Sequence, residues 1–188
     1  MRKFLSLICC LFCLGQIQAQ MVFENKDQRW NVTGIASNED YTAIFEKAYA
    51  YNKELYETDF PLRDYKQVSG YYDTLRITDN DMIGYLKIDR IGVELPIYHS
   101  TSEKVLNKGV GHLEGTSFPV PGETVHSVLS GHTGLPSAKL LTDLVELEVG
   151  DTFSIVILNQ IYTYEVDQIL VVEPDETDAL EIIDKRQY

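Results

Sequence analysis

Four histidines and three cysteines are the leading candidates in this sequence for acid–base, nucleophilic or metal chemistry, and their spacing separates those uses. His126 and His132, if they share an extended strand, point the same way but stand ~20 Å apart at about 3.3 Å per residue. That is too far to share an ion. His99 and His112 have no carboxylate at ligand spacing and read as hydrogen-bonded structural residues. No metal and no cofactor is expected. His132 differs in its setting, Ser130-Gly131-His132-Thr133-Gly134-Leu135-Pro136. Glycine on either side places the imidazole at a strand-to-loop junction where backbone can approach a ligand closely. Such a position suits a general acid and base. No G-x-S-x-G elbow is present, so a serine hydrolase is not indicated. The thiols Cys9, Cys10 and Cys13 all fall in the first thirteen residues, which excludes a disulfide framework or a cysteine zinc site from the body of the chain.

Those residues need a scaffold, and its elements are legible in the pattern. Ser37 with Asp40 resembles a capping box, and Tyr41, Ile44, Phe45, Ala48, Tyr51 and Leu55 recur at helical steps. The spacing predicts one amphipathic helix to about residue 57, ended before Pro61. Residues 85–88, 93–98 and 125–130 read as short strands, and 136–144 as a short helix with proline near its start. Phe153, Ile155 and Ile157, then Tyr162, Tyr164 and Val166, alternate with polar residues, predicting a long hairpin with one wet face. The second half is therefore a mostly antiparallel β domain. Asn31-Val32-Thr33 matches a glycosylation sequon but reads as a chance tripeptide.

The chain has 188 residues, 44% apolar and 24% charged, which is one ordinary domain. A formal charge of −13 argues against a nucleic-acid or membrane-surface protein. Arg2 and Lys3 precede an apolar stretch over residues 4–14 and a small residue at Ala19. This reads as a secretory signal over residues 1–19, with an uncleaved anchor as the alternative. The stretch falls short of the ~20 residues of a spanning helix. Residues 20–38 read as an irregular lead. After Val172, Glu173-Pro174-Asp175-Glu176 forms a loop by composition, and a sheet stopping there would leave an unpaired edge.

Several spaced motifs resemble one family. Pro96-Ile97-Tyr98-His99 is followed by Gly109-Val110-Gly111-His112-Leu113-Glu114-Gly115-Thr116-Ser117, then by Ser130 to Pro136 with Ser137-Ala138-Lys139. Leu144-x-x-Leu147-x-x-Gly150-Asp151 and Val166-Asp167-Gln168-x-x-x-Val172-Glu173-Pro174 continue in order. Together they resemble the class C sortases that polymerise Gram-positive pili, from about residue 41 onward and most strongly over 83–175.

The resemblance implies an eight-stranded sortase β-barrel and a cysteine transpeptidase. Its thiol attacks the Thr–Gly carbonyl of an LPXTG-like sorting signal, and a pilin lysine amine resolves the thioester. His132 matches the family's catalytic histidine, and an arginine steadies the oxyanion. The family's Thr-Leu-x-Thr-Cys strand and arginine strand follow the loop that begins at Glu173, and neither occurs in these 188 residues. Arg186 lies in the segment before them and takes no such role. The fold expected is thus mostly β, an incomplete sortase-type barrel with an N-terminal amphipathic helix and short helical inserts. Residues 39–70 hold the helix and a possible lid, and 71–188 a sortase domain lacking its last two strands. The lid match is Asp59-Phe60-Pro61, in which the proline and aromatic stand in altered order. The expected partners are LPXTG-like sorting signals of pilins or surface proteins, with no nucleic acid. Localisation is expected at the outer face of a Gram-positive membrane or beyond it. The chain as written is expected to be inactive. The alternatives are a cysteine-less pseudo-sortase that binds sorting signals or pilins, and an inert exported remnant.

Overall fold

A computed structural model describes the backbone at residues 4–13, 16–24, 40–59, 61–76, 79, 81–122, 125–133 and 140–172. Helix α1 (Thr42–Tyr56) starts where the Asp40 carboxylate accepts the Thr42 N–H at 3.0 Å. Ser37, the expected cap partner, lies outside the described residues. The helix buries Phe45, Ala48, Tyr51 and Leu55 as its spacing requires, and adds Asn52; Ile44, on the expected stripe, stays 37% exposed. Pro61 opens the one-turn helix α2 (Pro61–Asp64), consistent with proline's fit to a first helical position.

Six strands build a curled half-barrel sheet. Numbered along the chain after a preceding hairpin, they are β3 (Met82–Ile88), β4 (Val93–His99), β5 (Val110–His112), β6 (His126–Thr133), β7 (Thr152–Ile157) and β8 (Gln160–Val172). Their spatial order is β6-β5-β4-β3-β7-β8. β4 and β5 run parallel, joined by the one-turn helix α3 (Glu103–Leu106); the other pairs are antiparallel. The predicted late hairpin is β7–β8, with Ile157 opposite Gln160 and the turn at Leu158-Asn159. Inward residues Ile83, Leu86, Ile97, Val110, Leu129, Phe153, Ile155 and Tyr162 meet α1's apolar face in one continuous core. The mostly-β sortase-type sheet expected from the sequence is present. Of the helix expected over 136–144, residues 136–139 lie outside the described residues, and Thr142–Glu146 is a 3-10 turn.

The edges are not open. Residues expected to be a leader and an irregular lead run as strands β1 (Phe4–Cys13) and β2 (Gln16–Glu24), while 25–39 lie outside the described residues. β1 pairs parallel to β8 and β2 antiparallel to β6, closing the barrel. The physical reason is backbone supply and demand. β6 and β8 each present a row of N–H and C=O groups, and an apolar stretch able to extend satisfies both rows.

Candidate active site around His132

Strand β6 reads His126-Ser127-Val128-Leu129-Ser130-Gly131-His132-Thr133, and its alternation sorts the side chains. Leu129 faces the core. By period two, His126, Val128, Ser130 and His132 lie on the opposite face. Gly131 answers a steric demand: a Cβ there would stand 2.7 Å from Leu141 Cδ1. Its absence lets the 140–146 segment close on the strand, where the Leu141 N–H donates to the His132 carbonyl at 3.2 Å. The other end of β6 is bolted to the 113–118 loop. Leu113 N–H donates to Val128 O at 2.9 Å, and Ser117 N–H to His126 O at 2.8 Å.

His132 sits next to last in β6, at the strand end expected from its flanking glycines, but it is buried (0% exposed) rather than partly accessible. The backbone register shows one cause: Gln18 of β2 lies opposite His132, and Cys10 of β1 opposite Gln18. Neither ring nitrogen of His132 has a hydrogen-bond partner among the described residues. Its Nε2 is 3.5 Å from Oε1 of Glu103, at the start of α3. The Ser130 hydroxyl on the same face is also buried without a described partner. A buried imidazole with uncommitted nitrogens is unusual, because desolvating polar atoms costs about 1–3 kcal/mol each when no bond replaces water.

The other histidines behave as structural residues. His99 places Nδ1 2.9 Å from the Asp81 carbonyl and Nε2 2.8 Å from that of Thr74. His112 directs Nε2 to the Ser117 carbonyl at 2.9 Å and Nδ1 to the Tyr71 hydroxyl at 3.0 Å. Complete burial pushes His112 down to about 3, against the pull of the Ser117 carbonyl and with a smaller contribution from His99. Burial pushes the Tyr71 phenol well up, so it stays protonated and can donate. His126 is buried on the same strand as His132. No three His, Cys, Asp or Glu side chains among the described residues could jointly hold a metal ion.

Asp59 is exposed in the turn after α1, and Phe60 lies outside the described residues. The chain just beyond them is held. Gly115, at φ +86°, brings its backbone against Pro61 and Leu62, where a Cβ would stand 2.8 Å from Pro61 O. Sequence reasoning missed Glu103 and Asn52. Glu103 has no motif around it, and Asn52 sits among α1's apolar positions with nothing local to mark its partner. Asn52 donates Nδ2–H to Phe118 O at 3.0 Å and accepts the Phe118 N–H at 2.7 Å, pinning α1 to the loop that braces β6.

Residues 86–187 match the family model described as Sortase domain. Over 97 residues the chain is 34% identical to sortase D of Bacillus subtilis (strain 168), covering 52% of this chain and 46% of that protein. The chain thus spans about half the length of the curated relative it matches. Sortase C1 of Streptococcus agalactiae superposes with a TM-score of 0.69 at 42% identity, covering 79% of this chain and 77% of that one. Sortase C-1 of Actinomyces oris superposes with a TM-score of 0.66 at 39% identity, covering 75% and 81%. The matched stretch takes in all of β4 to β8 and therefore the whole strand that carries His132. The chain belongs to the sortase family, and its structural neighbours are class C sortases.

Proposed function

We propose that this protein is the barrel body of a class C sortase, a cysteine transpeptidase for LPXTG-like sorting signals, with His132 as its general acid and base. The observation that carries the reading is a buried imidazole at the end of β6, inside the matched region, whose nitrogens have no hydrogen-bond partner among the described residues. In that chemistry a thiolate attacks the threonine carbonyl and the Thr–Gly C–N bond breaks. His132 delivers a proton to the departing glycine amine. A pilin lysine then attacks the thioester, His132 takes its proton, and the thiolate leaves. A Thr-Leu-x-Thr-Cys strand does not occur in the 188 residues, and Cys9, Cys10 and Cys13 lie in the segment read as a leader.

Sortases are cell-envelope enzymes of Gram-positive bacteria, and export through residues 1–19 belongs to the proposal. No helix among the described residues is long and apolar enough to cross a membrane. Asp59 and Phe60, as a cover over the site, belong to it too.

The test is mass spectrometry of the 188-residue chain with an LPXTG-type peptide and an amine. The expected result is no cleavage. Fusing a Thr-Leu-x-Thr-Cys strand and its arginine strand after Tyr188 should produce thiol-dependent cleavage that His132→Ala removes. Near-normal turnover in the His132→Ala fusion would overturn the assignment. Tight peptide binding by the unfused chain, with no cleavage from the fusion, would favour a binding module.

A further inference from the structure

We propose that Glu103 is the positioning carboxylate of His132, holding the proton on Nε2 and leaving Nδ1 as the basic nitrogen. The inference rests on the reading of His132 as the acid–base residue and deepens it. His132 is fully buried, and Glu103 Oε1, at 3.5 Å, is the charged group facing its ring among the described residues. A neutral imidazole carries one N–H and one lone pair, so the group facing each nitrogen selects the tautomer. A carboxylate at Nε2 favours the proton there, because the other tautomer would turn a lone pair toward a negative oxygen.

The two halves of the pair differ in mobility, as a positioning device requires. The backbone of Glu103 is fixed: Val105 and Leu106 N–H both donate to Ser102 O, at 2.8 and 3.0 Å, and Asn107 N–H donates to Glu103 O at 3.0 Å. Val105 and Leu106 are buried, and Gly111 leaves room for Leu106 beside β5. The Glu103 side chain is 61% exposed, so its carboxylate keeps its hydration and can rotate the last few tenths of an ångström toward the ring. A long contact that tightens when the site is occupied is common for catalytic hydrogen bonds in empty sites. In the full chain burial of His132 adds to this, since it keeps water from the ring while Glu103 is the carboxylate facing it among the described residues.

The test is a long-range ¹H–¹⁵N correlation spectrum of the full chain labelled in histidine, at alkaline pH, with the His132 signals assigned by their loss in His132→Asn. The expected result is an Nε2-protonated ring whose tautomer ratio falls roughly two- to five-fold in Glu103→Gln, the range of a solvent-facing charge pair. Glu103→Ala should show at least the same fall; if it does not fold, the isosteric Glu103→Gln decides alone. An Nδ1-protonated ring in the parent chain, or an unchanged ratio in Glu103→Gln, would overturn the pairing. Neither readout needs turnover, so failure here is distinct from failure of the His132→Ala test on the fused enzyme.

Discussion

His112 and His132 are both buried histidines of one sheet, and their surroundings give them opposite uses. Both ring nitrogens of His112 are engaged, by the Ser117 carbonyl and by the Tyr71 hydroxyl, whose one proton is shared between Nδ1 and the His112 carbonyl at 2.9 Å and whose oxygen accepts the Ser100 N–H at 3.0 Å. That arrangement satisfies a neutral ring and leaves it nothing to exchange. It also has a pH signature. Burial depresses His112 from 6.5 to about 3, so between those values the unfolded chain binds a proton that the folded chain refuses. Folding stability from this group is therefore complete above 6.5 and lost as pH falls toward 3, at up to about 1.4 kcal/mol per pH unit. Urea denaturation of the parent and His112→Asn across this window should show a steeper acid loss in the parent. Parallel curves would remove His112 from the account. Its stacking on Phe118, at 4.9 Å between ring centroids and 9° between planes, ties the same residue to the core.

At the scale of elements, the strand that carries His132 is held from three sides. The 113–118 loop bonds to its first half, the 140–146 turn closes on its second half through Gly131, and α3 brings Glu103 to its end. The loop is in turn held by α1 through the reciprocal Asn52–Phe118 pair. Asn52→Ala strands the buried Phe118 N–H, while the Phe118 carbonyl keeps the Val120 N–H at 2.8 Å, and should cost about 1–3 kcal/mol in chemical denaturation. Amide exchange should rise first in residues 113–118, because that loop loses its anchor while the sheet does not. A loss under about 0.5 kcal/mol, the scale of an ordinary surface substitution, would mean that α1 is not what secures the loop.

The molecule as a whole poses a competition for residues 4–24. Residues 1–19, as a leader, would leave with the export machinery; in the folded chain residues 4–24 are the hairpin that closes the barrel between β6 and β8. Both uses draw on one property, an apolar stretch long enough to extend along a strand and too short to span a bilayer. Removing residues 1–19 deletes β1 and the first four of the nine residues of β2. The shortened chain should exchange amide protons faster in β6 and β8 than the full chain, and should self-associate as concentration rises. Equal protection in the two chains, with both monomeric by light scattering, would show that the hairpin contributes nothing to closure. The charge of −13 opposes association without removing it, because edge pairing is local and surface repulsion is screened by salt.

The sequence by itself determined whatever depends on neighbours along the chain. The alternation of Phe153, Ile155 and Ile157 against Tyr162, Tyr164 and Val166 specified the β7–β8 hairpin, and the spacing of Phe45, Ala48, Tyr51 and Leu55 specified the buried face of α1. Glycines around His132 marked the end of its strand, and the ordered motifs marked the family. Only the tertiary structure decided the burial of His132, the approach of Glu103 from twenty-nine positions earlier, the bond between Asn52 and Phe118, and the seat of residues 4–24. No local period encodes such contacts. Each arises because a buried polar group or an open strand edge must find its complement somewhere on the chain, and closure of the sheet fixes which segment is within reach.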